Sequence, residues 1–299
     1  MTDPAQDLAV NVPAPSSAAA RLDRLPPQSF FLVSAVFHYL GPSLAVLLFA
    51  RVSVLGVAWL RIASAAVVFV AWRRPWRLLR HSGSARLILA MGVVLAAMNS
   101  LFYLAIDRLP LATVGAIEFL GTVFLAAAGA RTRRNAAALA LTVTGVVTIT
   151  ALRVSGQPLG FVFAFGNCVL FMLYVILGHR MANTSRQRDL LAASMLVAAV
   201  VATPFGLGAA LPAFRSPVLL LAGAGVGICS SVIPYVMDQL AMARLPRATF
   251  SLMLALLPVF ATIIGLIVLR QVPSVPDIAG IALVVAGTAL HRAHDHEGK

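Results

Sequence analysis

The sequence predicts an all-α integral membrane protein, ten transmembrane helices built as two inverted five-helix repeats. Three observations carry this. Of 299 residues, 60% are hydrophobic and 11% charged, with a mean hydropathy of +0.93; soluble domains are about half apolar and a quarter charged. The apolar residues gather into ten runs, at 29–50, 53–72, 87–106, 111–130, 136–152, 159–179, 190–210, 218–240, 247–269 and 276–292. Finally, Leu109-Pro110-Leu111-Ala112-Thr113 recurs as Leu245-Pro246-Arg247-Ala248-Thr249, 136 residues later.

Residues 1–28 are rich in Pro, Ala and Ser and have neither the basic start nor the apolar middle of a signal peptide. A disordered cytoplasmic tail is expected there. Each run that follows is near the ~20 residues needed to cross a bilayer. In lipid a backbone must satisfy its own hydrogen bonds, so such runs are helices. The run at 136–152 is short and is the weakest of the ten. The expected domains are the tail 1–28, a first half 29–152, a second half 159–292 and a cytoplasmic tail 293–299.

Charge placement tests the count. Net charge is +13, and 22 of the 23 basic residues are Arg. With a cytoplasmic N-terminus, 17 bases fall in inside loops and tails and five outside, at Arg51, Arg108, Arg153, Arg215 and Arg270. Cytoplasmic loops carry this excess by the positive-inside rule, so no nucleic-acid partner is needed to explain the charge. Both termini are expected in the cytoplasm. Each repeat motif joins the third span of a half to the fourth. Five spans is an odd number, so the halves must lie in opposite orientations. Inverted repeats of this kind build a midplane site that opens to either side in turn.

Ionisable groups inside a membrane cost about 2.5–3.5 kcal/mol each on insertion scales, which makes them site candidates. Three lie well inside the runs: Arg61, Glu118 and Asp238. Glu118, between Gly115 and Gly121, suits proton or substrate binding, or a structural pairing with Arg61. Asn99, Phe102 and Tyr103 share one face of span three at i, i+3, i+4. Asn167, Phe171 and Tyr174 do so in span six, and Ser231, Pro234, Tyr235 and Asp238 in span eight. These could line a cavity or simply glue helices together. His38 precedes Gly41-Pro42, a possible unwound point of span one, though packing alone would explain a lone His. The terminal His291, His294 and His296 read as a solvated tail. Cys168 and Cys229 both lie in apolar runs, so neither a disulfide nor a zinc site is indicated. No cofactor or metal is expected, and no Walker loop or hydrolase constellation is present.

The ten-run layout resembles the EamA branch of the drug/metabolite transporter superfamily, and more closely the bacterial threonine/homoserine exporters. The resemblance runs through Arg61-Ile62-Ala63, Arg74-Pro75-Trp76-Arg77-Leu78, Met98 to Ile106, Leu109-Pro110-Leu111 and Ala116 to Gly121. In the second half it includes Ile233-Pro234-Tyr235, Ala243 to Pro246 and Thr249-Phe250. It implies proton-linked export of small amino acids or related metabolites across the bacterial plasma (inner) membrane. Members often carry Glu before the Pro of span nine, where this chain has Leu257, and often end that span with Gly-Glu, where it has Arg270-Gln271. Asp238 could replace the missing carboxylate.

The expectation is a secondary carrier for a small polar metabolite, with protons as coupling ion, the bilayer as surroundings and a homodimer possible. Glu118 would take the proton or the substrate ammonium, while Arg61 would balance it or hold a carboxylate. Asn99, Phe102, Tyr103, Asn167, Tyr174, Tyr235 and Asp238 complete the candidate set. The alternatives are a drug or quaternary-amine efflux carrier, or a non-transporting membrane scaffold.

Overall fold

The computed structural model describes residues 26–73, 82–129, 132–151, 157–182, 184, 186–245, 250, 253–254 and 256–290. Both predicted tails fall almost wholly outside these. The elements are α1 (Pro27–Leu48), α2 (Val54–Arg73), α3 (Ser82–Ile106), α4 (Leu111–Gly129) and α5 (Arg133–Ala151). They continue with α6 (Pro158–Ala182), α7 (Gln187–Ala210), α8 (Pro217–Arg244), α9 (Leu257–Leu269) and α10 (Val275–Leu290). No strand occurs among the described residues.

Among the described residues, six helices are long and apolar enough to cross a membrane: α1, α2, α3, α6, α7 and α8. Leu111–Gly121 of α4, α9 and Val275–Gly287 of α10 are shorter apolar helices. Many large apolar side chains face outward, Val67, Phe205, Leu221 and Ile267 being 68–74% exposed, while Arg61, Asn99, Glu118, Asn167 and Asp238 are buried. That inversion of the soluble pattern marks a lipid-facing surface, and the chain is a multi-pass membrane protein.

The run at 136–152 forms α5. Its Thr142 and Thr148 hydroxyls return to the carbonyls of Ala138 and Thr144 at 2.9 and 2.8 Å, which hides polarity within the helix. It packs closely along α10. A Cβ on Gly145 would stand 2.5 Å from the Gly280 carbonyl oxygen, and one on Gly287 2.6 Å from that of Ala138. Only glycine permits this backbone approach.

Helix ends follow local chemistry. Pro27, Pro217 and Pro258 sit in first turns, where a missing N–H costs nothing. The end of α9 turns through Arg270 in the left-handed region, φ 54°, and Gln271 N–H reaches back to the Gly265 carbonyl at 3.0 Å. α3 starts at Ser82 and α8 runs to Arg244, each beyond its apolar run, because polar flanks continue helical winding where lipid ends. Of the run 247–269, continuous helix is described only from Leu257.

One expectation is corrected. α1 does not unwind at Gly41-Pro42; the helix passes through Pro42 unbroken. Proline there removes a single bond, the one its N–H would give to the His38 carbonyl. The irregular turn lies instead in α8, where Ile228–Val232 forms a π-helical turn just before Pro234. Gly41 backs directly onto that turn, so an added Cβ would strike Ser230.

The main helix partners are α2 with α7, α5 with α10, α3 with α6 and α7, α1 with α8 and α9, and α4 with α6 and α9. Arg73 of α2 meets Asp189 of α7 in an ion pair at 2.6 Å. Together, α1, α3, α4, α6 and α8 surround the centre and carry most of the predicted site residues.

Candidate functional site

A small cavity of about 10 Å³ lies at the centre, lined by His38, Arg61, Met98, Asn99, Phe102, Glu118, Asn167 and Tyr235. It has room for about one water molecule. Six of the nine predicted residues therefore converge from α2, α3, α4, α6 and α8.

Glu118 is 3% exposed. Its Oε1 accepts a hydrogen bond from Asn167 Nδ2 at 3.0 Å. Its Oε2 accepts a long one from the Tyr39 hydroxyl at 3.5 Å and lies 3.8 Å from His38 Nε2. All three neighbours come from other helices. A buried carboxylate needs such donors.

Arg61, also 3% exposed, makes no ion pair with Glu118, so the structural-pairing expectation is corrected to this extent. Its Nε donates to Ser231 Oγ at 2.9 Å and its terminal nitrogen to the Ser230 carbonyl at 2.8 Å. The guanidinium also sits 5.2 Å over the Tyr103 ring, a cation–π arrangement. Tyr103 thus backs Arg61 instead of lining the cavity. The fork of Arg61 is held by the π turn of α8, which brings Ser230 and Ser231 inward.

Asn99 and Tyr235 meet across the cavity, with Tyr235 Oη 3.2 Å from both the amide nitrogen and the amide oxygen of Asn99. The hydrogen bond can run either way, since a hydroxyl both donates and accepts.

Asp238 and Tyr174 form an adjoining cluster. Asp238 is a buried carboxylate, 8% exposed. Ser34 Oγ donates to its Oδ1 and the Tyr174 hydroxyl to its Oδ2, the latter at 3.5 Å. The Tyr174 ring lies 5.6 Å from Tyr235 and 5.8 Å from Phe171, and Phe171 packs edge-on against His38. A continuous aromatic path therefore joins the two carboxylates. Among the described residues no group of His, Cys, Asp and Glu is placed to hold a metal.

The sequence profile of the EamA-like transporter family matches residues 158–292, the second of the two predicted halves. The threonine/homoserine exporters RhtA of Escherichia coli (strain K12) and Salmonella typhimurium (strain LT2) are each 31% identical over 255 residues, covering 83% of this chain and 85% of theirs. The chain belongs to the EamA transporter family. A solved crystal structure, 20% identical, aligns with a TM-score of 0.61 over 89% of this chain and 98% of that one, which supports the fold alone.

In this EamA transporter the centre contains residues that the sequence reading missed or set aside. His38, for which packing was an adequate explanation, lines the cavity beside Glu118. Tyr39, Ser34 and Ser230 were not singled out. All four tyrosines of the chain are 0–1% exposed, and a buried tyrosine usually finds a polar partner.

Proposed function

We propose that the chain is a secondary carrier that exports a small amino acid or related polar metabolite, of the threonine/homoserine class. The carrying observation is that Glu118 and Arg61 face one buried cavity without pairing with each other. A negative and a positive pole held apart by neutral side chains match a zwitterion, with Glu118 for the ammonium or an exchanged proton and Arg61 for the carboxylate. Had the two served only to pin helices, direct pairing would have been the cheaper arrangement for two buried charges.

Asn99, Phe102, Asn167 and Tyr235 shape the space between these poles. Tyr103 positions Arg61, while Tyr174 and Asp238 support the wall behind Tyr235. The relatives named for threonine and homoserine export agree with this reading. A cavity this small admits no amino acid, so transport requires the helices to part on one side and then the other.

Ten spans in two inverted halves would supply that motion. Helix partnership supports the reading. Exchanging α1–α5 with α6–α10 maps α1–α8 contacts onto α3–α6, and α1–α9 onto α4–α6; α2–α7, α4–α9 and α5–α10 map onto themselves. Asn99 and Tyr235 are 136 residues apart, the same interval as the Leu-Pro repeat, and each is the other's partner. That is the relation expected of residues beside a pseudo-two-fold axis.

The four buried tyrosines favour a second reading, efflux of a quaternary amine by an aromatic cage. Only Tyr235 among them lines the cavity, which makes this the lesser case. The deciding experiment is efflux from liposomes loaded with radiolabelled L-threonine, homoserine or a quaternary amine. Movement of either amino acid supports the proposal. Movement of the amine alone, or of nothing, overturns it.

A further inference from the structure

Of the titratable groups lining the central cavity, Glu118, Arg61 and Tyr235 have a part in export as proposed, and His38 has none. It is 8% exposed, and its ring stands edge-on to those of Tyr39 and Phe171 at 5.2 and 6.3 Å. Among the described residues neither ring nitrogen makes a hydrogen bond. Leucine or phenylalanine would pack this space with no polar ring to satisfy. Nε2 of His38 instead lies 3.8 Å from Glu118 Oε2, and both side chains line a cavity with room for about one water.

Helix α1 carries this imidazole between the two buried carboxylates. Ser34 precedes His38 by one turn on the same face, and Ser34 bonds Asp238. Around the ring, α8 brings Asp238 and Tyr235, α4 brings Glu118, α6 brings Tyr174 and Cys168, and α2 brings Arg61, while α9 has no titratable side chain. Tyr39 is its neighbour on α1. Phenols and thiols are largely neutral over about pH 5–8, so the charges that bear on His38 there are Glu118, Asp238 and Arg61. Arg61 is engaged by Ser231 and the Ser230 carbonyl. Among the described residues, Glu118 is the carboxylate within ion-pair range of His38.

We propose that His38 binds the coupling proton and, once protonated, takes the place of the solute ammonium beside Glu118. An imidazolium carries N–H on both ring nitrogens, so an N–H and a positive charge then face the carboxylate. An ammonium at Glu118 would bring a second cation against the first in the same small space, so the two occupants exclude each other. The only bond that changes is N–H. The lone pair of the neutral ring takes a proton from water on the outer side after the solute leaves, and returns it to water on the inner side as the next solute binds. In the shut conformer, whose cavity admits no amino acid, protonated His38 balances Glu118 and lets the unloaded carrier turn back. This role rests on the export reading and divides what that reading joined at Glu118: the carboxylate takes the ammonium, the imidazole the proton.

The test uses the full chain in liposomes, as wild type, His38→Gln and His38→Asn. Both amides keep a polar side chain but take up no proton. Exchange of radiolabelled L-threonine across the membrane needs no empty return step, whereas net efflux does. The variants should therefore keep exchange, while net efflux falls about tenfold, the scale of losing one charged partner, and ignores an imposed proton gradient. In wild type the half-saturating threonine concentration for exchange should rise by up to about tenfold per unit of acidification, the slope of one proton against one solute. In the variants it should be flat. A second measurement needs no variant. In wild type labelled with 13C-histidine, one of the six imidazoles should pass from its protonated to its neutral NMR signal when threonine is added. No responding histidine signal, a pH slope that persists in the variants, or variant net efflux that still follows the proton gradient each overturns the proposal. Exchange that is intact but indifferent to pH in wild type overturns this role alone. A wild type that exchanges neither threonine nor homoserine overturns the export reading, and this role with it.

Discussion

Glu118 and Asp238 are both buried carboxylates held by a tyrosine and one further neutral donor, yet their surroundings differ. Glu118 opens onto the central cavity, with a 3.5 Å tyrosine contact and His38 alongside. Asp238 lines no cavity described here, and Ser34 ties it to α1 by a short hydrogen bond while also reaching the Pro234 carbonyl at 3.3 Å. Both tyrosine contacts are 3.5 Å and Asn167 holds Glu118 at 3.0 Å, so adjoining space is the main difference. On the proposed reading, the carboxylate with room beside it exchanges a proton or binds a cation, and the one without fastens α8 to α1.

The largest expected effect comes from Glu118→Gln. The amide keeps the shape and still bonds Asn167 but carries no charge. Efflux should fall about a hundredfold, the scale of losing a charge-assisted hydrogen bond of ~1.5–3 kcal/mol. Residual flux should no longer respond to an imposed proton gradient, while membrane level stays unchanged. Wild-type flux in this variant would erase the distinction between the two carboxylates.

Arg61→Lys should follow, with efflux down about tenfold as a hydrogen bond to a charged group weakens. Lysine retains the charge but not the planar fork that engages Ser231 and the Ser230 carbonyl together. Full activity would show that charge alone suffices.

Asp238→Asn should change flux only a few-fold but lower thermal stability by about 1–3 kcal/mol, since a buried bonded group loses part of its partnership. Thermal unfolding in detergent checks this. Complete loss of transport at normal stability would promote Asp238 to the role given to Glu118. The smallest effect is remote from both. Arg270→Gly should raise stability by about 1 kcal/mol without altering efflux, because glycine takes the left-handed conformation at no steric cost.

Much of this centre was legible in the sequence. Glu118 and Arg61 stood out because charge in lipid is expensive, and Asn99, Phe102, Asn167 and Tyr235 because they occupy polar or aromatic helix faces. Tyr103 was placed on the right face yet lies behind Arg61, since helical spacing gives direction but not depth. Tyr39 and Ser34 escaped notice because a hydroxyl in an apolar helix gives no signal until its partner on another helix is known. Pro42 suggested a break that never formed, while the π turn beside Pro234 carried no sequence mark beyond that proline.

That turn has a consequence for anyone comparing such chains. It accommodates one residue more than ordinary winding would, so everything after Val232 is rotated by about 100° from where plain α geometry would put it. Deleting a single residue between Ile228 and Val232 would restore regular coiling and swing Tyr235 away from Asn99 and Asp238 away from Ser34. A homologue without the bulge must carry its matching residues one place earlier, and an ungapped alignment through this stretch would pair the wrong side chains.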